Sequence, residues 1–151
     1  MYYMPTSIRT LLGINVGGGG GGGGNPTTAF SNEYELTGIT TNNSETEILV
    51  NGSTRIPVSS DTLVNYEIFI GAKRTDILGD YANFKLSGTV VNENGTVSDI
   101  GSLYEIVVSS TEPGYLVDAR ADNINKTINI YVKGETGHTI DWKAVVLTSE
   151  I

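Results

Sequence analysis

The sequence predicts an all-β fold, a β-sandwich or jelly roll of about eight or nine antiparallel strands, preceded by an extended N-terminal arm and an oligoglycine tract. Two observations predict this fold class. From residue 32 to residue 151, short runs of apolar and polar residues alternate, and turn-forming residues separate the runs roughly every eight to twelve positions. No stretch of this region repeats its apolar residues with the period of an α-helix.

The composition divides the chain into three segments, because it changes sharply at Gly17. Residues 1–16 form an apolar N-terminal anchoring peptide, residues 17–31 a glycine-rich linker, and residues 32–151 the β-sandwich domain. Eight consecutive glycines open the linker. Such a tract is either a flexible spacer or an extended, polyproline-II-like segment whose backbone groups bond to neighbouring strands. In both cases it separates the peptide from the domain.

The N-terminal peptide is predicted to bind a partner. It carries many apolar side chains but is too short to have a core of its own, so we expect these side chains to be buried on another surface. The predicted partner-binding residues are Tyr2, Tyr3, Ile8, Leu11 and Leu12.

The first predicted strands run over residues 33–40 and 47–50, and an Asn-Gly dipeptide at 51–52, typical of tight hairpin turns, follows the second. A third strand is predicted over residues 55–58. It contains Pro57, which cannot donate a hydrogen bond to a neighbouring strand, and it is therefore expected at a sheet edge or a bulge.

The clearest alternation lies in residues 63–74 and 81–91. In the first run, the residues at every second position from Tyr66 to Ala72 define an inward face, and the second run repeats this pattern from Ala82 to Val90. A turn at residues 93–95 follows.

Four further strands are predicted over residues 103–109, 115–121, 127–133 and 139–150, with a Pro-Gly turn between the first two. The last run places Trp142 inward, where its large side chain is expected to fill the core. The predicted inward residues of the last two runs are Ile128, Ile130, Val132, Ile140, Trp142, Ala144 and Val146.

Composition and charge exclude several function classes. The chain of 151 residues has 17 acidic and 9 basic residues, a net charge of −8, so neither a nucleic acid nor an anionic membrane is an expected partner. Cysteine is absent, which excludes disulfides and thiolate metal sites. The chain also lacks the apolar run of about 18 residues that a membrane-spanning helix needs.

Residues with catalytic or metal-binding chemistry are sparse. His138, the one histidine, falls in a turn and is expected to be a solvated polar residue. The pairs Asp76/Asp80 and Asp118/Asp122 could ligate calcium from loops, but neither matches an EF-hand loop, and solvated loop carboxylates are the preferred interpretation. We therefore predict no enzymatic activity, no catalytic residue, no cofactor and no metal site.

Three tyrosines could contact a sugar. Tyr104, Tyr115 and Tyr131 are expected on the surface, where an aromatic ring can stack on a glycan. Tyrosine is also an ordinary strand residue, and this second interpretation is preferred.

Two segments carry short motifs in a characteristic order. Residues 68–76 read IFIGAKRTD and residues 79–88 read GDYANFKLSG. Near the end of the chain, residues 128–134 read INIYVKG and residues 139–151 read TIDWKAVVLTSEI. These segments resemble the strand–loop–strand and the closing hairpin of a domain that is frequent in virion proteins of tailed phages. The resemblance extends over residues 40–151.

The resemblance implies a non-enzymatic structural protein on the surface of a phage virion, either a tail fibre or similar appendage or a capsid decoration protein. It implies that other virion proteins bind the N-terminal arm and that the chain is a homo-oligomer, with a trimer expected by analogy. The alternative is a host-surface adhesin module that binds a carbohydrate. Arg74 is expected to pair with Asp76 or Asp80 and so to pin the loop between two strands.

Overall fold

The structure, a computed structural model, describes residues 32–101, 103–111 and 114–151. In these residues the chain forms ten β-strands and no helix, which confirms the all-β prediction. The anchoring peptide and the linker lie outside the described residues, and so do the predicted contact residues Tyr2, Tyr3, Ile8, Leu11 and Leu12.

The strands follow the predicted runs closely, but there is one more than expected. The additional strand is β6, which has four residues and buries one side chain, that of Val97. Such a short segment directly after a turn gives too little alternation to be recognised. The ten strands are β1 (Asn32–Thr40), β2 (Glu45–Val50), β3 (Ile56–Pro57), β4 (Thr62–Arg74), β5 (Tyr81–Glu93), β6 (Thr96–Asp99), β7 (Tyr104–Ser110), β8 (Leu116–Asp122), β9 (Thr127–Lys133) and β10 (Ile140–Glu150).

The C-terminal strand β10 lies in the middle of the antiparallel sheet. It pairs with β1 on one side and with β4 on the other, and β4 pairs with β5 along nearly its full length. The far edge of β5 carries two short strands, because β7 pairs with its first half and β6 with its last residues.

The sheet curls because β2 belongs to two ladders. Residues Leu49 and Val50 pair with β1, whereas the first four residues of β2 pair with β9. Strand β8 pairs with β9 along its whole length and occupies one edge of β9. The other edge of β9 is shared by β2 and β3. The predicted edge position of Pro57 is confirmed, since β3 pairs with β9 alone.

The two ends of the curled sheet meet where β8 approaches β6. Here the Asp99 carboxylate accepts a hydrogen bond from the Ala121 N–H at 3.0 Å, and the Asn123 side-chain oxygen accepts one from the Val97 N–H at 2.8 Å. These side chains bridge strands that share no ladder. The result is a curled antiparallel sheet around one core, whereas the finer expectation of a sandwich or jelly roll stays a prediction.

The predicted inward faces of β4, β5, β9 and β10 are confirmed, since their alternating apolar residues are buried. Trp142 is 1% exposed, and its indole N–H donates a hydrogen bond to the Thr40 hydroxyl at 2.8 Å. Tyr66 lies across Gly88, where a Cβ atom would come within 2.3 Å of the tyrosine hydroxyl. Gly88 therefore creates the space that a large inward side chain needs.

We expect Thr40→Val to destabilise the domain by about 1–3 kcal/mol, because the buried indole N–H of Trp142 would lose its acceptor. Thr40→Ser keeps the hydroxyl and serves as the control. Urea unfolding followed by Trp142 fluorescence measures both. Equal stabilities of the valine and serine variants would contradict the role of this hydrogen bond.

Candidate functional site: an exposed apolar strand

Strand β7 differs from the other long strands because four of its first five residues are exposed apolar residues. Tyr104 is 62% exposed and Val108 is 64% exposed, and the intervening Ile106 and Val107 are exposed as well. The neighbouring β5, in contrast, buries every second residue over most of its length. An apolar strand that its own domain leaves uncovered is unusual, because folding normally removes such surface from water.

The register of β7 explains why both of its faces are exposed. Val107 pairs with Phe84, whose side chain is buried, so Val107 lies on the core side of the sheet. Val107 is nevertheless 55% exposed, so the opposite strands of the curled sheet do not cover it. Tyr104 and Ile106 pair with residues on the outer side of β5. Apolar side chains are thus available on both faces.

Strand β7 is also an edge strand. It pairs with β5 on one side, and no other described strand pairs with its second edge. A β-bulge at Val108 shifts the register opposite Asn83 and Phe84. The second edge of residues 104–109 is called the free edge of β7, and its backbone N–H and C=O groups are available for pairing with another chain.

The strand carries a single charge, that of Glu105, in a chain whose net charge is −8. Partial burial and the nearby Asp118 carboxylate raise the pKa of Glu105 above its ordinary value. The cores of protein–protein interfaces are depleted of charged residues in the same way. The arrangement suits contact with another protein surface better than contact with a charged ligand.

A small cavity lies beside the connection between β6 and β7. Its volume is about 180 Å³, which is smaller than the roughly 300–1,000 Å³ of common ligand sites and suits a few water molecules. Burial, together with Asp99 and Asp118, raises the pKa of the Tyr66 hydroxyl at its wall. The cavity is lined by Tyr66, Gly88, Thr89, Asp99, Ile100, Gly101, Leu103 and Ala119.

The loop after β4 is held by one arginine, as the sequence predicts. The Arg74 guanidinium donates to Asp76 at 2.9 Å and to Asp80 at 3.0 Å, so both carboxylates take part. Asp76 also accepts the N–H of Thr139, just before β10, at 2.9 Å. The hydrogen bonds from Arg74 and Thr139 hold the pKa of Asp76 well below its usual value. These acidic groups are therefore structural anchors.

Asp118 and Asp122 both lie in β8, where the predicted strand over residues 115–121 already placed Asp118, so the interpretation of this pair as loop carboxylates is wrong. Asp118 accepts a hydrogen bond from Arg120, which also binds Glu45. Asp122 closes the turn after β8, and hydrogen bonds from Asn125 lower its pKa to about 2. Within the described part of the chain, no group of three or more His, Cys, Asp or Glu residues is placed to hold a metal ion.

Of the three tyrosines considered for sugar contact, Tyr104 has the exposed ring. The surface position predicted for Tyr115 is wrong, because it is 2% exposed and its ring packs against Trp142. The guanidinium of Arg120 lies over the ring of Tyr131, 4.7 Å from its centre. His138 is not a solvated residue either, because its imidazole lies 3.1 Å from the Tyr115 hydroxyl and its side chain is 16% exposed.

Sequence reasoning missed the exposure of β7, although one signal was available. Residues 106–108 are three consecutive apolar residues, which breaks the alternation of a strand with one buried face. Such a run predicts either a strand that is buried on both faces or a strand with an exposed apolar face. The sequence does not distinguish these two cases.

The described residues therefore define an acidic, all-β domain with one uncovered apolar edge strand. They include no helix long and apolar enough to cross a membrane. No protein-family model matches the chain, and no curated protein matches it in sequence.

Two solved structures are similar to parts of it. One is the tailspike protein gp49 of Acinetobacter baumannii bacteriophage Fri1, a capsular polysaccharide depolymerase, with 19% identity, 79% of this chain and 20% of that chain covered, and a TM-score of 0.37. The other is the tailspike protein of Acinetobacter phage vB_ApiP_P1, with 16% identity, 90% and 25% covered, and a TM-score of 0.41. The chain thus spans a fifth to a quarter of these proteins, and both TM-scores are too low to establish a shared fold.

We expect Asp76→Asn to destabilise the domain at pH 7 and to destabilise it less at pH 3, where part of the pKa-linked stabilisation is already lost. The folded-state pKa of Asp76 lies below its unfolded value of 3.8, so the stabilisation is present above that value and is lost as the pH falls through the folded pKa. Urea unfolding at pH 7 and pH 3 measures the difference. Asp141→Asn, on an exposed residue of β10, is the control. A destabilisation of the same size at both pH values would argue against the ion pair.

Proposed function

We propose that this chain is a non-enzymatic structural protein of a tailed-phage virion, anchored by its N-terminal arm and displaying a β-sandwich on the particle surface. It would serve as a tail fibre or similar appendage, or as a capsid decoration protein. The observation that carries the proposal is the exposed apolar strand β7. A domain with a well-buried core and one uncovered apolar edge is suited to assembly with other protein.

The placement of the phage-like segments supports a structural role. Strands β4 and β10, which contain much of both segments, pair from Arg74 opposite Ile140 to Val64 opposite Glu150. Arg74 anchors a loop and Trp142 fills the core, so the motif residues stabilise the fold.

The electrostatics favour the absence of catalysis. A carboxyl group acting as a general acid near neutral pH needs a raised pKa, whereas those of Asp76 and Asp122 are lowered by hydrogen bonds. Glu105 has a raised pKa, but it lies on β7 among apolar residues. The carboxylate near it, that of Asp118, accepts hydrogen bonds from the Arg120 guanidinium and the Ala119 N–H, so its contacts are structural and do not form the free carboxyl pair that glycoside hydrolysis uses.

The alternative function is a host-surface carbohydrate-binding adhesin, and the exposed ring of Tyr104 favours it. This alternative predicts saturable binding on a glycan array, lost in Tyr104→Ala and kept in Tyr131→Ala. Release of sugar reducing ends by the purified protein would instead indicate an enzyme and would overturn the proposed function.

The proposal is tested on phage particles. We expect the chain to be found in purified particles by mass spectrometry and at their surface by immunogold labelling. Deletion of residues 1–16 should leave a folded, soluble domain and reduce incorporation into particles by about tenfold or more, because the apolar contacts of the arm are lost.

Deletion of four of the eight glycines is the matched control, since it shortens the tract and keeps every apolar side chain of the arm. Particles that contain no copy of the chain would refute the proposal. Full incorporation of the protein lacking residues 1–16 would refute anchoring by the arm.

A further inference from the structure

We infer that the partner of β7 is the β7 strand of a second copy of this chain, paired antiparallel about a two-fold axis. The inference rests on the proposed function, because it names the occupant of the same assembly surface. It is carried by the free edge of β7, its apolar β-branched residues and the position of its one charge.

The first step concerns the backbone. The N–H and C=O groups on the free edge of β7 can form a ladder with any extended strand, and an identical strand satisfies this requirement symmetrically. Strand β7 is supported by β5, which β4 and β10 support in turn. Pairing two copies would therefore join two existing sheets, which is more stable than an isolated two-stranded hairpin.

The second step concerns charge. Each copy has a net charge of −8, so the repulsion between two copies is smallest when they meet through a surface with few charges. Registers centred on Ile106 or Val107 place Glu105 opposite Val107 or Ser109 of the second copy. No carboxylate then faces another carboxylate, and the β-branched residues at the centre face one another across the axis.

The third step concerns closure. One edge of β7 is already occupied by β5, so each copy offers one edge at this strand and the pairing ends at two copies. The bulge at Val108 further limits the length of the shared ladder. The result is a closed dimer contact, which differs from the trimer that the resemblance to virion proteins implies.

The test is the molar mass of the full-length protein by light scattering. We expect the wild type to have about twice the chain mass of 16.1 kDa. Ile106→Glu should be monomeric, with dimerisation weakened about tenfold or more, because two carboxylates would approach across the axis. The variant should still fold, since the register partner of Ile106 is Lys85, which can pair with the new carboxylate. Ile124→Glu, which is 90% exposed in the wild type and remote from β7 in sequence, should stay dimeric.

A cross-linking measurement keeps the inference testable if Ile106→Glu does not fold. The chain has no cysteine, so Ile106→Cys or Val107→Cys introduces a single thiol. A copper oxidant, which takes up the two electrons released, should join two copies through one of these positions. Ile124→Cys should stay monomeric on a denaturing gel.

The outcomes separate the inference from the proposed function. A monomeric or trimeric wild type whose mass Ile106→Glu does not change would overturn the inference. If Ile106→Glu then failed to enter particles, the proposed function would stand and β7 would bind a different virion protein. If Ile106→Glu entered particles fully, β7 would not be an assembly surface. Loss of the dimer in full-length Leu11→Asp/Leu12→Asp, but not in Ile106→Glu, would assign the contact to the arm.

Discussion

The structure depends on the position of β10, because the last strand of the chain is inserted between β1 and β4. The backbone groups of β1 and β4 that face the middle of the sheet bond to this strand, so the sheet is complete only when β10 has been inserted. Trp142 lies on β10, fills the core, and bonds to the end of β1 through Thr40. Local hairpins alone would leave the two halves of the sheet unconnected.

The curl of the sheet decides which surfaces are covered. Strand β1 pairs with β2, β2 with β9, and β9 with β8. The N–H of Ala121 then donates a hydrogen bond to Asp99 and the N–H of Val97 donates one to Asn123, and these two bonds connect β8 to β6. Strand β7 lies beyond this contact on the same edge of β5. Its apolar residues stay exposed because the domain has no described strand left to cover them. This exposure is the basis of the proposed assembly surface.

Much of the candidate site could not be predicted from sequence, and the reason is physical. Apolar alternation reports which side of a strand is buried, but not what lies opposite that side. Val107 and Phe84 lie on the same side of the sheet, yet Phe84 is covered and Val107 is not. Tyr115 was expected at the surface for the same reason, because a tyrosine in a strand can be buried or exposed according to its neighbours.

The sequence by itself determined the all-β class, most of the strands and their inward residues, because side chains alternate with a period of two and turns require particular residues. The pairing of Arg74 with its loop carboxylates was also readable, since short spacing keeps these groups close. The tertiary structure alone decided that β6 is a strand, that Tyr115 is buried, and that β7 is uncovered. These features depend on contacts between residues far apart in the chain, which no local pattern encodes.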